Sequence, residues 1–337
     1  MTVSDADISK ITIQTVKSSF FSYFACREQP DTKHILLSKL FPDESAIRSA
    51  IGGLETSLGT TLWERIATQI ALANGFTVLN PKTDFLQPKK MPTVITNLIA
   101  KYKDDREVED ADIPMSVYIK ELYDGITALK TNELPTTFKT LTKGSGVDIF
   151  LSKGNQEYVF DIKTVQINAG SGTKFNETLM KWLAFRRLHL KHLNQNYDLH
   201  AHIVIPYDPH VNSDWWTEFG DRAYPLDKDD VLLGNKFWDL LSGRSNTLEV
   251  ITKAFETLAK DNFQSFYVEF LHSSGIIQSL KLLKDIGKIS LLDTKNPETL
   301  TTKCKWKCSK CGESFEKSIQ ATVKGKKCPK CDKPFID

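Results

Sequence analysis

Two aspartates and a lysine lie in a short stretch that otherwise predicts paired β-strands. Asp148 stands in "GVDIFL", and Asp161 and Lys163 stand in "YVFDIKT", two apolar runs joined by hairpin-turn residues. Since side chains alternate between the faces of a strand, Asp161 and Lys163 share a face, and an antiparallel partner brings Asp148 beside them. Any one of these residues alone is also typical of a strand end that meets solvent. Two neighbouring carboxylates repel unless a cation neutralises them, so the combination predicts a divalent metal site, with Mg²⁺ as the candidate ion.

The same residues carry a family resemblance. Gly146-Val147-Asp148, a spacer of twelve residues and then Asp161-Ile162-Lys163 resemble the PD-(D/E)XK signature of type II restriction endonucleases, with Val147 at the family's leading proline. The resemblance implies that Asp148 and Asp161 hold Mg²⁺ and that Lys163 orients or helps deprotonate the attacking water. It also implies an α/β fold with a restriction-endonuclease-like mixed β-sheet flanked by helices.

A helix predicted upstream offers a third carboxylate. In "GGLETSLGTTLWERIATQIALANGF", apolar residues recur at helical spacing up to Asn74-Gly75, a typical C-terminal stop. The arrangement is similar to the first helix of PD-(D/E)XK nucleases, which commonly adds an acid to the metal site. Glu64 is favoured and Glu55 is the competitor; nine residues apart, they cannot both face one metal unless the helix begins after Gly59. The alternative for either glutamate is a solvated helix residue.

After the second predicted strand comes a glycine-containing segment, "NAGSGTKFN", interpreted as a flexible loop. A basic helix follows, which either faces solvent or contacts DNA, and then an apolar strand, "HAHIVIPYD". Strand, helix and strand in this order predict a mixed sheet whose carboxyl-end loops hold the site. The polar loop residues are candidates for contacts to phosphates or base edges: Asn168, Ser171, Thr173, Lys174 and Asn176.

The C-terminal segment predicts a second metal site. The pairs Cys308/Cys311 and Cys328/Cys331, each separated by two residues, have the spacing of a four-cysteine structural Zn²⁺ site, and the segment resembles a zinc ribbon. Cys304 has no place in that tetrahedron and is left as a free cysteine. From 301 to 337, ten lysines stand against four acids, a local charge of +6. This segment is therefore either a structural appendage or dimer contact, or a surface that contacts the DNA backbone.

Composition sets the remaining expectations. The chain has 337 residues, 40% hydrophobic content and a net charge of +2. It shows neither a long apolar run typical of a membrane span nor the pattern of a signal peptide, so a cytoplasmic location without membrane association is expected. The expected organisation is an N-terminal helical region (1–50), a nuclease domain with a C-terminal elaboration (51–300) and the zinc ribbon (301–337).

Together these patterns favour a type II restriction endonuclease that hydrolyses double-stranded DNA with Mg²⁺. A palindromic site would match a homodimer, and the resemblance implies functional pairing with a DNA methyltransferase. The segment 208–243 also loosely resembles TdeIII-type enzymes. The alternatives are a DNA repair or junction-resolving nuclease and a non-catalytic DNA-binding protein on a nuclease fold.

Overall fold

The computed structural model describes residues 2–25, 52, 62–108, 113–142, 145–164, 171–208, 223–261, 289–291, 303–308, 310–318 and 327–332. The candidate residues Glu55 and Asn168 lie outside these ranges. The chain divides into two compact units: Met1–Ile8 with Trp63–Val250, and Ser9–Leu62 with Ile251–Asp337. The predicted boundaries at 50 and 300 stay predictions.

The described helices are, in chain order, α1 (Asp5–Ala25), α2 (62–73), α3 (Thr93–Arg106), α4 (Met115–Ala128), α5 (Gly172–His192), α6 (Asn235–Ser242) and α7 (Thr247–Lys260). The described strands are β1 (Thr77–Leu79), β2 (Leu86–Pro88), β3 (Phe138–Thr140), β4 (Ile149–Lys153), β5 (Gln156–Ile162), β6 (Asp198–Ile205), β7 (Val231–Leu233), β8 (Ile289–Leu291), β9 (Lys303–Cys308) and β10 (Ser314–Ser318). No helix among the described residues is long and apolar enough to span a membrane.

A five-stranded mixed sheet forms the centre of the first unit, in the order β1-β4-β5-β6-β7. β1, β4 and β5 pair antiparallel, whereas β5, β6 and β7 pair parallel. The β4–β5 hairpin closes at Gly154, whose φ of +62° favours glycine. The predicted mixed sheet and hairpin are confirmed.

Helices flank this sheet on both faces. α3, α4 and α5 pack against one another, and α5 packs on β6. On β5, Glu157 contacts Arg186 of α5, while the Phe160 ring lies 5.4 Å from the ring of Phe237 in α6. Residues 157 and 160 point to opposite faces of the strand, which places α5 and α6 on opposite sides of the sheet. The buried core beneath α3 to α5 includes Phe85, Tyr118 and Trp182.

The second unit contains a three-stranded antiparallel sheet in the order β10-β9-β8. Trp306 and Phe315 are buried in it, and the indole Nε1 of Trp306 donates to the carbonyl oxygen of Lys317 at 2.8 Å. Cys304 lies in β9 opposite Lys317. This small sheet carries the first pair of zinc-ligand cysteines.

Candidate nuclease site and zinc-binding cluster

The β4–β5 hairpin places the two aspartates side by side. Ile149 pairs with Phe160, so Asp148, one residue before β4, stands opposite Asp161. The Asp148 backbone N–H donates to the carbonyl oxygen of Phe160 at 2.9 Å, and the Ile162 N–H donates to Asp148 Oδ2 at 2.8 Å. The Asp148 carboxylate is thereby fixed against the backbone of the neighbouring strand.

Lys163 follows immediately after β5 and turns back toward Asp161. Its Nζ lies 2.5 Å from Asp161 Oδ1, and its backbone N–H donates to the carbonyl oxygen of Val204 at 2.8 Å, which extends the pairing with β6. The ammonium also lies 5.1 Å from the ring centre of Phe175 in α5. Sequence reasoning missed Phe175 as a site residue, because its apolar spacing marks it only as helical core.

Glu64 comes to the same site from α2. Its side chain is half-buried, and the charge of Asp148 acts on it directly. Among the described residues, the four cysteines form the single set of three or more potential metal ligands already gathered around one point. The carboxylate of Glu64 therefore stands close to Asp148 without completing a three-acid cluster.

Burial and like charge raise the pKa values of Glu64 and Asp161. Burial, followed by the charge of Asp148, raises the pKa of Glu64 from 4.5 to about 7, against the opposing effect of Arg65. Burial likewise raises the pKa of Asp161 from 3.8 to about 6; Asp148 adds to this rise, and Lys163 opposes it. The single positive charge of Lys163 does not offset the negative charges of the neighbouring acids. A divalent cation bound here would therefore relieve their repulsion.

A buried ion pair holds α5 against β5. Glu157 lies four residues before Asp161 on the same face of β5, and its carboxylate accepts from Arg186 Nε at 2.7 Å and Nη2 at 2.6 Å. Arg186 Nη1 also donates to the carbonyl oxygen of Asp84 at 3.1 Å. Arg186 is 7% exposed, so this member of the basic helix faces neither solvent nor DNA.

The segment predicted as a flexible loop is partly helical. α5 begins at Gly172, so the prediction of a loop is wrong for Thr173, Lys174 and Asn176. A β-carbon at Gly172 would collide with the carbonyl oxygen of Tyr224, and only glycine permits this close approach of the helix start.

The candidate DNA-contact residues differ in how exposed their side chains are. Lys174 is exposed, Ser171 and Thr173 are half-buried, and Asn176 is fully buried with both amide atoms unpartnered among the described residues. Asn176 therefore offers no surface to DNA in this conformation, whereas a DNA contact by the other three stays a prediction.

The four cysteines form a zinc-binding cluster. Their sulfur atoms all lie within 4.8 Å of one another, and Cys311 Sγ is 3.9 Å from Cys328 Sγ. A tetrahedron with Zn–S bonds of about 2.3 Å separates its sulfur atoms by about 3.8 Å, so the group fits Zn²⁺. Both knuckles use the same turn. Gly312 N–H donates to the Cys308 carbonyl at 2.8 Å, and Asp332 N–H donates to the Cys328 carbonyl at 2.9 Å.

Two adjacent acids and a lysine thus lie together on a mixed sheet, with a further acid on α2, an arrangement of groups that could hold a divalent cation. A family model described as "Type II restriction endonuclease, HinfI" matches residues 5–259. The chain belongs to this family, which confirms the predicted resemblance to type II restriction endonucleases; the looser likeness had been to TdeIII-type enzymes.

Three further comparisons bear on the chain. It is 22% identical over 245 residues to the type II restriction enzyme MjaII of Methanocaldococcus jannaschii, an alignment that covers 68% of this chain and 59% of that enzyme. The match thus spans about three fifths of the relative's length. Residues 294–334 match a probable treble clef zinc finger domain. The sequence analysis predicts a zinc ribbon for this segment, and both kinds of zinc finger can hold one ion with four cysteines. No solved structure matches the chain.

Proposed function

We propose that the protein is a Mg²⁺-dependent type II restriction endonuclease that hydrolyses phosphodiester bonds of double-stranded DNA at a specific sequence. The observation that carries this proposal is the convergence of Asp148, Asp161 and Lys163 at one end of the β4–β5 hairpin. Membership of the HinfI-type family supports the substrate class, as does the name of the MjaII relative.

The donor set fits Mg²⁺. Asp148 and Asp161 present hard carboxylate oxygens side by side, and their like charges favour a cation between them. Glu64 is a further acid on which the charge of Asp148 acts, and it is suited to hold the ion directly or through a retained water. When bound, Mg²⁺ would supply Lewis acidity to the scissile phosphate and lower the pKa of a coordinated water.

The chain's own residues contribute positioning and charge. The Ile162 N–H fixes the orientation of Asp148, and Lys163 fixes that of Asp161. When Asp161 is engaged by a cation, the ammonium of Lys163 is available to orient the attacking water and to stabilise negative charge that develops on the phosphate. The ring of Phe175 lies beside the ammonium and adds a cation–π contact to it.

The proposed enzyme acts as a homodimer on DNA. Cutting both strands of a duplex requires two active sites or two encounters, and a two-fold dimer matches the symmetry of a palindromic site. Restriction of DNA by such an enzyme in the cytoplasm also implies a partner methyltransferase that protects the same sequence. Sedimentation of the protein on a cleavable duplex tests the dimer, and a monomer at every concentration would contradict it.

The direct test is cleavage of unmethylated plasmid and phage DNA in Mg²⁺. We expect discrete fragments from the wild type and none from Asp161→Ala, which should still bind DNA because it loses a metal ligand and no backbone contact. Asp124→Ala, on the exposed face of α4, is the control. Cleavage by Asp161→Ala at a rate near that of the wild type would refute the assignment.

Lys163 has a matched control in the same hairpin. Lys153 also lies over an aromatic ring, 4.7 Å from the centre of Phe76, at the turn end of β4. Lys163→Ala should therefore abolish cleavage while Lys153→Ala retains it. Equal effects of the two substitutions would mean that the lysine acts through hairpin stability and not at the reacting phosphate.

A further inference from the structure

The zinc-binding segment carries a row of basic side chains on one face of a strand. Along β9, Lys303, Lys305 and Lys307 are exposed, whereas Trp306 and Cys308 between and beside them are buried. This is the alternation expected of a strand whose one face covers a core and whose other face meets solvent. We call the three exposed lysines the β9 lysine row.

We infer that the β9 lysine row is a docking surface for the phosphate backbone of double-stranded DNA. The inference rests on the proposed function only in taking DNA as the polymer on which the protein acts. It assigns to the second unit, which contains the cysteine cluster, a binding role that does not depend on the DNA sequence. Recognition and cleavage stay with the first unit, called the nuclease unit, which contains the hairpin site.

Spacing supports this partner. Side chains on one face of an antiparallel strand repeat at about 6.8 Å. Phosphates of one DNA strand follow each other at about 3.4 Å along the helix axis, so neighbouring lysines of the row span about two such steps. Flexible lysine stems can then place each ammonium on a separate phosphate.

The neighbouring strand also suits a polyanion. In the register of β9 with β10, Ser318 stands opposite Lys303 and Ser314 stands opposite Lys307, and both are small hydrogen-bonding residues. Glu316 stands opposite Lys305 and is the one acid in these three cross-strand pairs. The charge of the segment adds to this local pattern, since 301–337 carries +6 and the rest of the chain carries 34 bases and 38 acids.

The experiment measures the salt dependence of DNA binding by the full chain in Mg²⁺-free buffer, with a labelled random-sequence duplex as the probe. The test variant combines Lys303→Gln, Lys305→Gln and Lys307→Gln. The control combines Lys327→Gln and Lys330→Gln, two exposed lysines of the second knuckle in the same unit. Zinc content is measured for each protein, because one equivalent shows that the cluster is intact.

Each lost phosphate contact should reduce the slope of log K against log salt by about 0.9, and three by about 2.7. Between about 50 and 200 mM salt, the affinity of the row variant should therefore fall about 40-fold less than that of the wild type. The control should follow the wild type. An unchanged slope in the row variant, or an equal change in the control, would overturn the inference.

A variant that is expected to gain affinity tests whether the row variant loses binding only because its fold is damaged. Glu316→Gln removes the acid beside Lys305, and it should bind the duplex more tightly than the wild type; weaker or equal binding counts against the row. If the row instead contacts acidic surface of a second copy, the row variant would keep the wild-type slope but sediment as a smaller species, which also refutes DNA docking.

These outcomes are separable from the fate of the proposed function. Binding is measured without Mg²⁺, and the row variant keeps all the residues of the hairpin site. If the wild type fails to cleave DNA in Mg²⁺ but the row variant shows the expected smaller salt slope, the nuclease assignment is refuted and the inference about the β9 lysine row is supported. If the wild type cleaves and the slope is unchanged, the row alone is wrong.

Discussion

Replacing Asp161 by asparagine should stabilise the nuclease unit in the absence of Mg²⁺. Asp161 is 8% exposed, and burial raises its pKa from 3.8 to about 6 even though Lys163 opposes the rise. Its charged form is therefore disfavoured in the folded protein. Asparagine has nearly the same shape and no charge, so it removes this penalty while leaving the strand pairing in place.

The sign and size follow from linkage. A carboxyl group with a raised pKa binds its proton more tightly in the folded than in the unfolded state, so wild-type stability falls as pH rises from about 4 to about 6 and then levels. A rise from 3.8 to about 6 corresponds to 2 to 3 kcal/mol, at about 1.4 kcal/mol per pKa unit. At about 2–4 °C per kcal/mol, the Asp161→Asn variant should melt about 4–12 °C above the wild type at pH 8 and at nearly the same temperature at pH 4.

Mg²⁺ should cancel most of this difference in stability. Binding at about 100 times the dissociation constant stabilises the wild type by about 2.7 kcal/mol, whereas the variant lacks a ligand and gains little. The assay is calorimetry from pH 4 to 8 with and without Mg²⁺. Mg²⁺ is removed by gel filtration, because a chelator would also take the zinc. Asp124→Asn is the exposed control. A variant less stable than the wild type at pH 8 without Mg²⁺ would refute the electrostatic reasoning.

Three further predictions concern residues outside the hairpin site. Gly172→Ala should lower the free energy of unfolding by more than about 2 kcal/mol because its β-carbon meets backbone, whereas Gly146→Ala, with open space around it, should change it by less than about 0.5 kcal/mol; chemical denaturation measures both. Glu157→Gln should cost about 3–5 kcal/mol by leaving the Arg186 guanidinium buried and unpaired, and a loss below about 1 kcal/mol would show that water solvates it. Cys311→Ser should lower zinc content and abolish protection of β9 amides from hydrogen exchange while the protection of β5 amides is kept, and loss of both would contradict independent units.

The parts of the site that sequence predicted are those encoded locally. Asp148, Asp161 and Lys163 lie within sixteen residues and are joined by one tight turn, so strand periodicity alone fixes which side chains share a face. The cysteines are similar, since two-residue spacing within each pair defines the knuckle before any tertiary contact is known.

The parts that sequence could not predict depend on distant partners. Gly170-Ser171-Gly172 reads as a loop, yet the helix begins at Gly172 where it meets the backbone of Tyr224, more than fifty residues later in the chain. Arg186 looks like one of several solvated bases, and only its contact with Glu157, 29 residues away, makes it a buried anchor. Glu64 is of the same kind, because only the fold brings it within reach of the charge of Asp148; its competitor Glu55 lies outside the described residues.

The two metal sites act on stability in opposite directions. The cysteine sulfurs already stand at tetrahedral separations in a segment with little core, so metal binding there contributes folding free energy. Asp161 is buried and Glu64 is half-buried, and the charge of Asp148 helps to raise the pKa of each, so without an ion these acids subtract from the stability of a well-packed sheet. Removing a ligand should therefore destabilise the zinc unit but stabilise the metal-free nuclease unit. That contrast in sign, measured on Cys311→Ser and Asp161→Asn in one chain, distinguishes a structural metal site from a site kept under electrostatic strain for chemistry.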